Sequence, residues 1–274
     1  MRIGIATFVT DEGIHPATLG KAVEERGFDS LFLAEHSHIP VSRQSPYPGG
    51  GELPRVYYRT LDPFVALTAA AGATSQLLLG TGIALLVERD PIMCAKEVAS
   101  LDLVSGGRAI FGVGAGWNRE EMANHGTDPR IRGALFDERI AAIKEIWTQE
   151  KAEFHSRHVD FDPIYSWPKP VQRPHPPIYI GGAAEAALPR VAKYGDAWMP
   201  ISAGSAEGVS GQFARLAERV GPGASVTVFA VARDAEVLAA YREAGAERAL
   251  MLLPTKPTDE TLRQLDELAE LTGL

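Results

Sequence analysis

Residues 101–117 read Leu-Asp-Leu-Val-Ser-Gly-Gly-Arg-Ala-Ile-Phe-Gly-Val-Gly-Ala-Gly-Trp. A helix ends on Gly106-Gly107, a β-branched and aromatic run follows from Arg108 to Val113, and the run dissolves into Gly112, Gly114 and Gly116. The segment therefore predicts a strand that opens onto a backbone nearly free of side chains. Glycine lets a backbone approach a flat ligand or accept positive φ, so Gly112 and Gly114 are candidate cofactor contacts. A tight β-to-α turn, packed closely for structural reasons, explains the same spacing.

The pattern around this segment repeats along the chain. Strand-like runs fall near 2–8, 29–34, 77–83, 108–113, 177–181, 196–200, 225–231 and 247–253, with helical stretches between them. Leu19, Ala22, Val23 and Arg26 fall on one helical face, as do Leu262, Leu265, Leu268 and Ala269. Asp62-Pro63 and Asp90-Pro91 each set an N-cap acceptor before a proline at the first helical position. Alternating strands and helices imply a parallel sheet with helical crossovers. Eight such units in about 250 residues predict an α/β chain folded as a (β/α)8 TIM barrel, whose sites lie at the C-terminal strand ends. An open doubly wound sheet would suit six or seven units better.

Composition narrows the function. The 274 residues, 45% hydrophobic and 23% charged, suit one large domain spanning 1–274. A net charge of −8 argues against nucleic acid or an anionic membrane as partner. The lone cysteine, Cys94, excludes a disulfide framework and a cysteine-rich metal site, and no histidine stands at metal-ligand spacing from a partner. The chain begins with strand-like residues and has no apolar run near the ~20 residues of a membrane span, so a cytoplasmic protein is expected. An apolar barrel rim suits a homodimer.

Two connections exceed mere links. Residues 36–61 follow the second strand and carry Tyr47, Tyr57, Tyr58, Arg43, Arg55 and Arg59, which predicts a lid over the active face. Residues 150–176, before the fifth strand, contain Glu153-Phe-His155 and His158-Val-Asp-Phe161, which pair as a short hairpin ahead of a proline-rich stretch expected to cover the barrel rim.

Leu77-Leu-Leu-Gly-Thr-Gly-Ile-Ala-Leu-Leu86, Arg89-Asp-Pro91, Ala95 through Arg108, Gly112-Val-Gly-Ala-Gly-Trp-Asn-Arg-Glu-Glu121, Pro176-Pro-Ile-Tyr-Ile-Gly-Gly182 and Gly195-Asp-Ala-Trp198 together resemble the bacterial luciferase-like monooxygenase superfamily. Within it the chain most resembles oxidoreductases that use the deazaflavin coenzyme F420. The resemblance covers about two thirds of the chain and implies the same (β/α)8 barrel. It also implies an acid–histidine pair at Glu35-His36, with His36 as the catalytic proton carrier beside a flavin-like ring. Gly82, Ile83 and Ala84 would hold that ring on a bulge with a cis peptide bond between Gly82 and Ile83.

Gly181-Gly-Ala-Ala184 runs from strand into helix and offers backbone N–H groups for a phosphate, so Gly181, Gly182, Ala183 and Ala184 complete the expected cofactor contacts. Trp117 and Trp198 are expected to face a small-molecule substrate, Trp117 standing where some relatives carry a polar or acidic residue. Coenzyme F420 has a long anionic tail that Arg43, Arg55 and Arg59 would meet; FMN, the alternative, ends in one phosphate. The chain thus reads as a hydride-transferring oxidoreductase. An FMN monooxygenase and a non-catalytic flavin-binding protein of the same fold are the other readings.

Overall fold

The computed structural model describes residues 1–182, 185–221 and 224–274. Eight strands are present where the apolar runs place them. In chain order they are β1 (Arg2–Thr7), β2 (Ser30–Leu33), β3 (Leu78–Thr81), β4 (Ala109–Gly114), β5 (Ile178–Gly181), β6 (Ala197–Met199), β7 (Ser225–Val231) and β8 (Arg248–Leu252). Each pairs in parallel with the next, and β1 pairs with both β2, at Ile5 opposite Leu31, and β8, at Ile5 opposite Met251. The contact of β3 with β4 completes the circuit, so the sheet is a closed parallel barrel.

The helices are α1 (Pro16–Glu25), α2 (Pro63–Gly72), α3 (Pro91–Ser105), α4 (Arg119–Asn124), α5 (Arg132–Thr148), α6 (Leu188–Tyr194), α7 (Ala206–Arg219), α8 (Ala235–Glu243) and α9 (Thr258–Thr272). Asp62 and Asp90 cap α2 and α3 as their sequence predicts, accepting from Val65 N at 3.0 Å and Met93 N at 2.9 Å. Gly106 ends α3 at φ 71°, a left-handed position that glycine fills without strain.

Strand alternation divides the apolar residues into two cores. Ala6, Phe32, Ile110, Tyr179, Ala197, Met199 and Leu250 fill the barrel, with Ile83 and Phe229 against them near the mouth. The larger core lies between sheet and helices, and Leu19, Val23, Leu265 and Leu268 enter it from the two predicted helical stripes.

The hairpin expected before β5 forms from 152–155 and 160–164. The proline-rich stretch beyond it lies away from the active face. Val171 N and Gln172 N donate to the Asp102 carboxylate near the end of α3, and Lys169 reaches the Ile146 and Gln149 carbonyls near the end of α5. Barrel helices run antiparallel to their strands, so a chain leaving α5 returns to β5 around the N-terminal strand ends.

Candidate functional site

Three consecutive strand ends build the site: His36 follows β2, Gly82-Ile83 follows β3, and Trp117 follows β4. The Gly82–Ile83 peptide bond is cis, as the resemblance implied. Ile83 lies half-buried over the barrel interior. The glycines around it have a definite use. A Cβ at Gly114 would fall 2.0 Å from Ile83 Cδ1, one at Gly181 2.6 Å from Ile83 Cγ2, and one at Gly112 2.0 Å from the Thr81 carbonyl oxygen. The platform expected to lie bare for a ligand is therefore already covered by Ile83 and Thr81, which corrects the reading of Gly112 and Gly114 as direct contacts. Gly114, with Gly181, seats Ile83, and Gly112 makes room for the Thr81 carbonyl. Gly82 in turn packs on Phe229, which lies within a bulge of β7 next to Ala230 at φ 58°.

His36 is buried, and its Nδ1 lies 2.7 Å from Oε2 of Glu121, a wholly buried carboxylate on α4. Glu121 orients the imidazole, whereas the expected neighbour Glu35 turns away to Arg89 and to the Leu85 N–H at 2.6 Å. Arg89 is shared by Glu35, Asp62 and Glu97, which ties the N-terminal ends of α2 and α3 to β2. His36 Nε2 makes no hydrogen bond to the described residues.

Aromatic rings lie around the imidazole. Tyr57 and Trp117 lie 5.1 and 5.9 Å from the His36 ring, Tyr47 bridges them at 5.3 and 6.2 Å, and Phe8 backs Tyr57 at 4.7 Å. Tyr47 and Tyr57 come from the long loop, which therefore folds over the mouth as a lid. Ser45 pins it by giving its N–H and hydroxyl to the Glu120 carboxylate. Two lid arginines are already engaged: Arg55 with Glu12 and Arg59 with Asp11. Arg43 lies over the Trp117 ring at 5.9 Å and remains a cation at the rim.

Trp198 does not reach the mouth. It is 1% exposed in the outer core, and its Nε1 donates to the Gly182 carbonyl at 2.9 Å. Its neighbours Ala197 and Met199 point inward, so alternation turns Trp198 outward and removes it from the substrate contacts. At the expected phosphate cradle, Gly181 is part of β5 and the Gly182 N–H is given to Met199 O at 3.3 Å. Ala183 and Ala184 lie outside the described residues.

A cavity of about 380 Å³ opens beside His36, lined by Glu35, His36, Ser37, Glu88, Arg89 and His125 among others. Glu88, a cavity-lining carboxylate that the sequence reading did not single out, is buried there. Its side chain is 4% exposed, and burial, then the charges of Glu121 and Glu35, push its carboxyl up to about 9 against the pull of Arg89 and Arg139. No cluster of histidine, cysteine and carboxylates suited to a metal occurs among the described residues.

The ring end of a flavin-type cofactor fits these residues. Two glycines, Gly114 and Gly181, clear space for an apolar side chain at the mouth, and an oriented imidazole lies at the adjacent strand end. Among the described residues no helix is long and apolar enough to cross a membrane.

Residues 15–271 match the luciferase-like monooxygenase family. An uncharacterized protein of Mycobacterium tuberculosis (strain ATCC 25618 / H37Rv) is 43% identical over 203 residues, 73% of this chain and 72% of that one. The FMNH2-dependent dimethylsulfone monooxygenase of Pseudomonas putida is 33% identical over 156 residues, 53% of this chain and 42% of that one. Among solved structures, a monooxygenase from Streptomyces bottropensis superposes with a TM-score of 0.79 at 20% identity, covering 98% of both chains. An F420-dependent secondary alcohol dehydrogenase, bound to an F420–acetone adduct, superposes at 0.75 with 18% identity over 99% of this chain and 98% of that one.

Proposed function

The chain belongs to the luciferase-like monooxygenase family, and from that premise we propose that it is an oxidoreductase moving a hydride between coenzyme F420 and a small organic substrate. When bound, a deazaflavin supplies the carbon that gives or takes the hydride. The residues of this chain bind, orient and move the proton. Ile83 offers an apolar face to the ring from its glycine seat. His36 carries a proton at Nε2, and Glu121 holds Nδ1 so that Nε2 is the nitrogen left to exchange it. Tyr47, Tyr57 and Trp117 exclude water and present an apolar surface to the substrate, while Arg43 stands at the rim for an anionic tail.

The carrying observation is the buried His36–Glu121 pair. Two-electron reduction of a carbonyl places charge on oxygen as hydride arrives at carbon, and a positioned imidazole answers that charge with a proton. A second reading, an FMN monooxygenase, draws on the Pseudomonas putida relative.

Titration of the purified protein with F420 and with FMN, followed by the quenching of each cofactor's fluorescence, tests the assignment. Saturable F420 binding is expected. Micromolar FMN binding without F420 binding would reverse it, and oxygen consumption with reduced FMN would then identify a monooxygenase. Cofactor bound tightly, with no redox step sensitive to His36→Ala, would leave a flavin-binding protein.

A further inference from the structure

We propose that Glu88 is the proton store of this site, recharging His36 through the cavity that both residues line, with Ser37 and His125 as the outer end of the route to solvent. The proposal rests on the reading of His36 as the proton carrier.

Three observations carry it. First, Oε1 of Glu88 and Oε1 of Glu121 are both buried and have no hydrogen-bond partner among the described residues. A buried carboxylate oxygen without a donor is costly, and a proton on Glu88 relieves that cost by turning an acceptor into a donor. Second, the cavity of about 380 Å³ touches His36, Glu88, Ser37 and His125 together. It has room for about a dozen waters at the liquid volume of roughly 30 Å³ each, and its polar walls give them partners. Third, a string of side chains leads outward. His125 Nε2 lies 4.0 Å from Glu88 Oε2 and 2.7 Å from Ser37 Oγ. Ser37 Oγ lies 2.8 Å from His38 Nδ1, and His38 Nε2 meets Asn124 at 2.9 Å on the exposed rim.

The charges around Glu88 favour storage. Glu121 on α4 and Glu35 after β2 repel its ionised form, whereas Arg89 ahead of α3 and Arg139 on α5 attract it, and burial outweighs that attraction. Burial, then the charge of His38, holds the proton affinity of His125 below the usual histidine range.

The step balances simply. When a carbonyl is reduced, His36 gives one proton to the substrate oxygen while the hydride from the reduced deazaflavin forms the new C–H bond. Water in the cavity then carries the Glu88 proton to His36, and Glu88 takes one proton from solvent through cavity water at the end of the cavity that Ser37 and His125 line. No electrons move in the recharging, and each turnover draws one proton from solvent. Oxidation of an alcohol runs the same route outward.

The test uses cofactor-free protein labelled with 15N-histidine, so its result is independent of which cofactor binds. In the wild type the His36 ring-nitrogen resonances are expected to shift in an alkaline step near pH 9, where Glu88 ionises. Glu88→Gln loses that step. Exchange of the His36 ring proton with water, read by saturation transfer, slows in both Glu88→Gln and Ser37→Ala. An alkaline step that is absent from the wild type or survives in Glu88→Gln overturns the proposal, as does exchange unchanged by the substitutions. Should Glu88→Gln not fold, the exchange rate in Ser37→Ala decides alone.

Discussion

Glu121 and His36 are 85 positions apart in the chain and belong to different βα units, yet Oε2 of the one meets Nδ1 of the other at 2.7 Å in a buried pair. An imidazole held in this way keeps one tautomer and one orientation, which is what a proton carrier requires. Glu121→Ala is expected to lower turnover by roughly a hundredfold or more, the contribution of a positioned acid–base group. Glu121→Gln keeps the shape and should retain cofactor affinity while losing turnover. Steady-state kinetics alongside cofactor titration separate the two effects.

Glu88 gives the protein a pH-dependent stability of unusual sign. Its carboxyl is pushed up to about 9, so between its ordinary value of 4.5 and that point the folded state holds a proton that the unfolded state lacks. Stability from this group is complete below its unfolded value and falls as pH rises toward 9, with a slope of about 1.4 kcal/mol per pH unit. Glu88→Gln removes the slope. Urea denaturation at pH 6 and pH 8 should show the difference between variant and wild type moving in favour of the variant by about 3 kcal/mol.

These two carboxylates also mark where the sequence stops being readable. The barrel was legible because eight apolar runs and the aspartate–proline caps are local signals, each specifying its own element. Glu121 is different: it lies three residues after the N-cap Asn118, where a glutamate ordinarily serves its own helix. Only the closure of the barrel brings it to His36. The glycine spacing at Gly112 and Gly114 showed that space was needed, but spacing cannot tell a ligand from Ile83. Trp198 misled for a related reason, since a short strand buried on both faces hides the parity that separates the interior from the outer core.

The seat of Ile83 can be tested through the glycines. Gly112→Ala would drive a Cβ into a backbone oxygen 2.0 Å away, and a carbonyl in a ladder cannot yield, so a loss of about 3 kcal/mol in stability is expected. Gly114→Ala meets only the Cδ1 end of Ile83. It should cost less stability and displace the side chain at the mouth, weakening cofactor binding. Ile83→Val removes that methyl, so the double variant should recover stability relative to Gly114→Ala by about 1 kcal/mol in a double-mutant cycle.

The lid depends on Ser45. Its N–H and hydroxyl bind the Glu120 carboxylate, and its oxygen accepts the Arg119 N–H at 3.1 Å. Ser45→Ala removes the side-chain half of this tether, which holds a loop rather than the barrel, so global stability should change by about 1 kcal/mol. Local opening should rise instead. Trypsin cleavage after Arg43 is expected to quicken severalfold, and bound cofactor should suppress it.

Trp117 and Trp198 were equivalent candidates in the sequence, and the structure assigns them opposite consequences. Trp117 is half-buried, edge-on to His36 and capped by Arg43. Trp117→Ala should therefore weaken substrate and cofactor binding while leaving the denaturation midpoint close to that of the wild type. Trp198 fills the outer core and donates to Gly182 O, so Trp198→Ala opens a large cavity and leaves that carbonyl without its donor. A destabilisation of about 3–5 kcal/mol is expected. Trp198→Phe restores most of the volume without the N–H and should lose less, with cofactor affinity preserved in whatever fraction remains folded. Equilibrium denaturation and cofactor titration on all three variants check the division. Should Trp198→Phe lose binding at full stability, its side chain would belong to the site after all.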